Sequence, residues 1–157
     1  MEAAKKSLNM AASGRWSVHA PKQARDLVQR IKAMYGKDAA KQWKLITIFI
    51  GNHDATNLCF RDTTTTEEYK SNIRKESLPR TIISIIGLWN FNFSLGKGIA
   101  MTETKKCDPK FYDAMQAKFE EFRKAVSELA EDSSLQRKDQ AVVVQTILDS
   151  IYEPVKL

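Results

Sequence analysis

The sequence predicts an α/β fold, a three-layer α/β/α sandwich built on a mainly parallel sheet. Three observations point there. Leu45–Ile50, Thr81–Gly87 and Ala141–Gln145 are short runs rich in β-branched residues, and none alternates apolar with polar side chains. Strands of that kind belong to parallel sheets covered by helices on both faces. The segments between them carry apolar residues at helical spacing, and strand and helix follow one another in strict alternation. That order builds βαβ units with right-handed crossovers.

Taken along the chain, Leu8-Asn9-Met10-Ala11 reads as the tail of a strand ahead of Ser13-Gly14. A helix is expected over 21–35. Pro21 suits its first turn, Ala24, Leu27, Val28, Ile31 and Met34 form one stripe, and Gly36 stands where a C-terminal cap belongs. Its opposite face carries Arg25, Gln29, Arg30 and Lys32. The strand Leu45–Ile50 ends in Gly51-Asn52-His53-Asp54. Thr65-Thr66-Glu67-Glu68 has the form of a capping box and opens a helix through Tyr69 and Ile73 that Pro79 closes. The strand at Thr81 ends in Gly87-Leu88-Trp89-Asn90. Asp108-Pro109 pairs an N-cap with an N1 proline. From there Phe111, Met115, Phe119, Phe122, Val126 and Leu129 line one face of a helix reaching about Asp132. In open parallel sheets the chemistry gathers just beyond the carboxyl ends of the strands. The polar residues after Ser13, Ile50 and Ile86 are therefore the first candidates for a site.

The 157 residues fit one domain, 1–157, and 43% hydrophobic content is enough for a core. The net charge of +6 is uneven: residues 1–44 hold ten Lys/Arg against three Asp/Glu. No basic block reaches the length of a nucleic-acid patch, so a solvated helix surface is expected and nucleic acid is not an expected partner. The apolar stretches are strand-sized, far below the roughly 20 residues of a bilayer span, and no signal peptide follows Met1. Localisation stays unassigned on these residues. Two cysteines, Cys59 and Cys107, fit free thiols or one disulfide and lack metal-site spacing. No metal and no cofactor is expected.

Acyl transfer requires a nucleophile, a base with its orienting carboxylate, and donors aimed at a developing oxyanion. A backbone N–H freed by Gly14 and a side chain from Asn52 or His53 are placed to be two such donors. Turn chemistry alone also puts glycine and asparagine there. Asp54 is read as a support accepting loop backbone N–H groups. His53 stays open between oxyanion donor and loop histidine. His19, ahead of Pro21, has no carboxylate near it in sequence and is read as non-catalytic. Trp89, Phe91 and Phe93, interleaved with Asn90, Asn92 and Ser94, could line an acyl groove or pack beneath a loop.

Asn9-Met10-Ala11-Ala12-Ser13-Gly14 resembles the second block of the GDSL lipases, or SGNH hydrolases. Gln23–Val28, Trp43–Gly51, Leu78–Thr81 and Ala141–Gln145 are similar, in order, to its phospholipase B branch. The resemblance implies an SGNH-hydrolase-like, flavodoxin-like sheet, incomplete at both ends. It also implies a carboxylic ester hydrolase acting on phospholipid or lysophospholipid, and a protein secreted or anchored on the extracellular side. By it, Gly14 lies at an oxyanion position, Asn9 at a supporting one, and His53 in the slot of the oxyanion asparagine, with Asn52 one residue away. Cys59 falls where the branch has the second of two cysteines, and Thr56 replaces the first. The departures are specific. No Gly-Asp-Ser block precedes Asn9, and no histidine follows His53, so the nucleophile and the Asp-x-x-His pair of that family have no counterpart here. A truncated, inactive form is therefore expected, a pseudoenzyme of lipid metabolism. Peripheral membrane contact and self-association through an exposed sheet edge are its expected contacts. The other reading is a non-catalytic α/β module that binds lipid or protein.

Overall fold

The computed structural model describes residues 8–56, 64–74, 78–88, 109–146 and 148. Among these, three parallel strands lie in the order β1-β2-β3: β1 Lys44–Ile48, β2 Thr81–Ile86 and β3 Gln140–Gln145. The register runs Ile46 to Ile83 to Val142, and Ile48 to Ile85 to Val144. Helix α1 (Ala20–Tyr35) precedes the sheet, α3 (Thr66–Arg74) and α4 (Tyr112–Glu131) supply the crossovers, and a single turn of helix, α2 (Asn52–Thr56), follows β1. The expected α/β class with its parallel sheet and flanking helices is what the chain forms.

The core sits between the sheet and α3 and α4. Ile85 and Val142 meet Tyr69 from α3 and Phe119, Phe122, Ala125, Val126 and Leu129 from α4, with Ile83 and Val144 against the same cluster. Tyr69 and Phe122 stack with ring centroids 4.2 Å apart and planes 10° from parallel. The helix ends obey the expected chemistry. Thr65 N–H donates to Glu68 Oε2 at 2.8 Å, and Glu68 N–H donates back to Thr65 Oγ1 at 3.2 Å. This reciprocal pair satisfies two donors that the helix start would leave open. Gly36, with φ of 54°, caps α1 by donating its N–H to Lys32 O.

The starts of the strands are polar and pinned. Thr81 and Gln140, both buried, stand opposite one another. Gln140 Nε2 donates to Leu135 O at 3.1 Å and its Oε1 accepts from Arg137 at 2.7 Å. Thr81 N–H donates to Asp139 O, and Lys44 N–H to Arg80 O.

Two expectations need correction. The first strand is not buried on both faces. The residues alternate to those of the core, Leu45, Ile82 and Val143, are 70%, 39% and 39% exposed. The helices α3 and α4 pack on the opposite side, so the apolar run in β1 reflects an aliphatic outer face and not a covered one. Secondly, Leu8–Ala11 forms no strand. Asn9 Oδ1 accepts the Ala11 N–H at 2.9 Å, a local turn bond. An extended segment becomes a strand only with a neighbour to pair with, and β1, at the end of the sheet, pairs with β2 alone.

Candidate functional site

Beyond Ile48 the chain leaves the sheet through Phe49 and Ile50 and turns at Gly51. Gly51 is buried and has φ of 118°, a backbone conformation that L side chains rarely adopt. Tyr69 is the reason no other residue fits. A Cβ at position 51 would stand 2.7 Å from Tyr69 Cε2 and 2.9 Å from its hydroxyl. That hydroxyl donates to Ile50 O at 2.9 Å, so one aromatic residue both covers the glycine and ties down the carbonyl before it. Burial, followed by the nearby Asp54 carboxylate, pushes the Tyr69 hydroxyl well above its ordinary pKa. It remains a neutral donor at every physiological pH.

The turn then enters α2, where the Ala55 N–H donates to Gly51 O. Asn52 and His53 are half-buried, and Asn52 Oδ1 is a buried acceptor without a hydrogen-bond partner. Asp54, 1% exposed, is the centre of the arrangement. Its Oδ2 accepts the Ser17 N–H at 2.8 Å. Its Oδ1 accepts Ser17 Oγ–H at 2.5 Å and Thr64 Oγ1–H at 3.0 Å. Asn72 Nδ2 reaches Ser17 Oγ at 3.4 Å. Both oxygens of this buried side chain are therefore occupied by donors, as burial of a polar group requires.

The clasp between Ser17 and Asp54 joins segments 37 residues apart. Gly14 lies three residues before Ser17, with φ of 70° and no atom within 4 Å of where a Cβ would be. Asn52 and His53 lie directly before Asp54. The clasp therefore ties Ser17, three residues beyond Gly14, to Asp54, which directly follows Asn52 and His53 past the carboxyl end of β1. Asn9 lies in the same loop region as Gly14 but is exposed and engaged in its own turn. His19 is kept apart from this group in its bonding: its Nδ1 accepts the Trp16 N–H at 3.1 Å at the entry to α1. Cys59, Cys107 and the aromatic strip Trp89, Phe91 and Phe93 lie outside the described residues. Among the described residues no cluster of three His, Cys, Asp or Glu side chains could hold a metal ion, and no helix is long and apolar enough to cross a membrane.

Sequence reasoning missed Ser17, Thr64 and Tyr69. A serine four residues before a helix proline and a tyrosine on an apolar stripe carry no signal of a partner far along the chain.

The profile of the GDSL-like lipase/acylhydrolases matches residues 2–156 of this chain. The chain belongs to that family. It is 28% identical to human membrane-associated phospholipase B1 over 166 aligned residues, covering 94% of this chain and 11% of that protein. The rat protein of the same name is 29% identical over 94% of this chain and 12% of its own length. The mouse protein is 34% identical over 52% of this chain. The chain thus spans about a tenth of the length of these relatives. No solved structure matches it significantly. The resemblance to the phospholipase B branch is accordingly a family relationship along nearly the whole chain, and it supports a lipase or esterase lineage.

Proposed function

We propose that this chain is the oxyanion-binding portion of a phospholipase B-like acyl ester hydrolase and that, on its own, it turns over no ester. The observation that supports the reading is the Ser17–Asp54 clasp, which ties the residue three beyond Gly14 to the one that follows Asn52-His53. A tetrahedral acyl-transfer intermediate concentrates negative charge on one oxygen, and donors fixed in advance stabilise it. The Gly14 N–H and a side-chain donor from Asn52 or His53 are the pair assigned to that task. Asn52 brings a carboxamide whose Oδ1 is buried without a hydrogen-bond partner. His53 brings a single N–H of shorter reach. Asp54 supports both by fixing the turn.

Among the described residues no side chain is assigned to the charge-generating half. Ser17 is fully buried, and its hydroxyl is spent on Asp54, so it is a structural hydroxyl and not an attacking one. The family's Gly-Asp-Ser and Asp-x-x-His blocks have no counterpart in the 157 residues. Without an activated nucleophile, donors alone leave the rate orders of magnitude below that of a complete triad. The test is incubation of the purified chain with p-nitrophenyl butyrate and with a fluorophosphonate probe. No serine-dependent turnover and no labelling are expected; either one would overturn the proposed inactivity.

A second reading, a non-catalytic module that binds lipid or protein, is favoured by the exposed aliphatic face of Leu45, Ile82 and Val143. The flanking coding sequence separates the two. A Gly-Asp-Ser block upstream and an Asp-x-x-His block downstream support a portion of an enzyme, whereas stop and start codons at these termini support the module.

A further inference from the structure

The parallel sheet gives the molecule two unlike ends. β1, β2 and β3 start level with one another, since Lys44 pairs with Thr81 and Thr81 with Gln140. The segments that enter the strands therefore gather at one end, and those that leave them at the other. The entering segments, 36–44, 78–80 and 132–139, hold six Lys/Arg against three Asp. The leaving segments 49–56 and 87–88 hold Asp54 and neither Lys nor Arg. The cationic end is tied into one surface. Arg80 donates to Lys41 O at 2.6 Å, and its own carbonyl accepts the Lys44 N–H at 2.8 Å. The Thr81 N–H donates to Asp139 O at 3.0 Å, which joins the third segment to the second. Arg80 holds φ of 54° in this arrangement, a left-handed backbone that few non-glycine residues adopt. The acids are already engaged: Asp38 with Lys41 at 3.1 Å, Asp139 with Arg137 at 3.6 Å, and Asp132 with Arg74. Lys37, Lys44, Arg80 and Lys138 meet no carboxylate among the described residues, and all but the half-buried Lys44 are exposed. Burial, followed by the charge of Arg80, holds the Lys44 amine below its ordinary pKa, so two of these cations press on one another.

We propose that this end of the sheet lies on an anionic lipid surface, with Lys37, Lys44, Arg80 and Lys138 against the headgroups and the Asn52-His53 turn facing away from it. The flatness of the partner follows from where the charges stand. Lys44, Arg80 and Lys138 lie at or just before the strand starts, whereas Lys37 lies in the 3₁₀ turn Gly36–Ala40 that continues α1 in the helix layer. Charges spread over two layers cover an area, so a threadlike polyanion laid along the strand starts would leave Lys37 unused. Neither the cavity of about 820 Å³ beside β1 nor that of about 270 Å³ beside α4 is lined by Lys37, Arg80 or Lys138, so these cations do not converge on a pocket for a small anion. A negatively charged leaflet strengthens binding roughly fivefold for each Lys or Arg brought to it. The docking does not depend on the acyl-transfer reading, but one consequence does: with the turn at the far end, the esters it meets come from dispersed or micellar lipid and not from the surface on which the chain rests.

The experiment is cosedimentation of the 157-residue chain with vesicles of phosphatidylcholine alone and of phosphatidylcholine mixed with phosphatidylserine. Binding to the mixed vesicles only is expected, and added salt should abolish it. The double variant Lys37→Gln, Lys138→Gln changes two exposed side chains without a carboxylate partner among the described residues and should bind at least tenfold more weakly. Arg15→Gln with Arg25→Gln removes the same charge from exposed positions elsewhere and should leave binding within about twofold. Hydrogen exchange on the mixed vesicles should slow in 36–44 and 137–140 and stay unchanged in 51–56. Equal binding to neutral vesicles, or equal losses for the two double variants, would overturn the proposal, because net charge or apolar contact would then account for the binding. Protection of 51–56 in place of 36–44 would overturn the orientation. Retention on heparin without binding to either vesicle would assign the end to a soluble polyanion and overturn the lipid surface.

Discussion

Replacing Asp54 by alanine removes the acceptor for three donors at once: the Ser17 N–H at 2.8 Å, the Ser17 hydroxyl at 2.5 Å and the Thr64 hydroxyl at 3.0 Å. Hydrogen bonds to a charged acceptor contribute about 1.5–3 kcal/mol each, and a buried donor left without a partner costs about 1–3 kcal/mol. Removing the carboxylate also relieves its own desolvation, which offsets part of the loss. The net expectation for Asp54→Ala is about 3–5 kcal/mol of destabilisation, in the range of a broken buried polar network. Asp54→Asn is the control. Its Oδ can still accept the Ser17 N–H, and its amide can donate to the Ser17 and Thr64 oxygens with the hydroxyls turned round, so a loss of only about 1 kcal/mol is expected. Urea denaturation followed by circular dichroism measures both, and exchange of the Ser17 amide reports whether the clasp itself opens. Losses for Ala and Asn that agree within about 0.5 kcal/mol would refute the reasoning, because volume and not hydrogen bonding would then be what Asp54 supplies.

Gly51→Ala should destabilise by about 2–4 kcal/mol, combining backbone strain with a Cβ driven into Tyr69. Gly14→Ala, where a Cβ meets nothing, should cost only about 1 kcal/mol, and equal losses at the two glycines in the same urea series would contradict this. Tyr69→Phe removes the bond to Ile50 O and should cost about 1–2 kcal/mol while keeping the stack on Phe122; an unchanged midpoint would show that the bond adds nothing. Acid should loosen the start of α3 and its Lys70–Glu128 link to α4. Glu68 is held below the ordinary carboxylate pKa of 4.5 by the Thr65 backbone N–H, Glu121 by Lys118, and Glu128 by Lys70. Depressed values mean that their stabilisation is present above 4.5 and is lost as pH falls through the lower folded values. Exchange protection across α3 should therefore drop between about pH 5 and about pH 3, and constant protection over that range would count against these three links.

What was legible in the sequence was whatever local chemistry decides. The Thr65–Glu68 box, the Gly36 cap and the stripe from Met115 to Leu129 each depend on residues within two turns of one another. Strand positions were legible to within two or three residues, since β1 ends at Ile48 where the apolar run continues to Ile50. Periodicity reports that a strand lacks polar alternation, but it does not report whether a layer lies over each face, so the exposure of Leu45 was not legible. The candidate site was half legible. Gly14, Asn52, His53 and Asp54 stand out as polar strand ends, whereas the serine 37 residues away that fastens Asp54, and the tyrosine that forces glycine at 51, are facts of packing that no short window contains.

The aliphatic outer face has a consequence for strand alignment. Where one side of a sheet is greasy and the other wet, sliding a strand by one position inverts its sides and is strongly penalised. Here Leu45 and Ile82 on one side, and Ile46 and Ile83 on the other, are interchangeable to solvent, so hydropathy barely opposes such a slip. Alignment must come from the polar ends: the paired Thr81 and Gln140, with the Arg137 and Leu135 contacts of Gln140, act as the fixed zero from which β2 and β3 are measured. Substitutions at that remote end would move Gly87 relative to its neighbours without touching it.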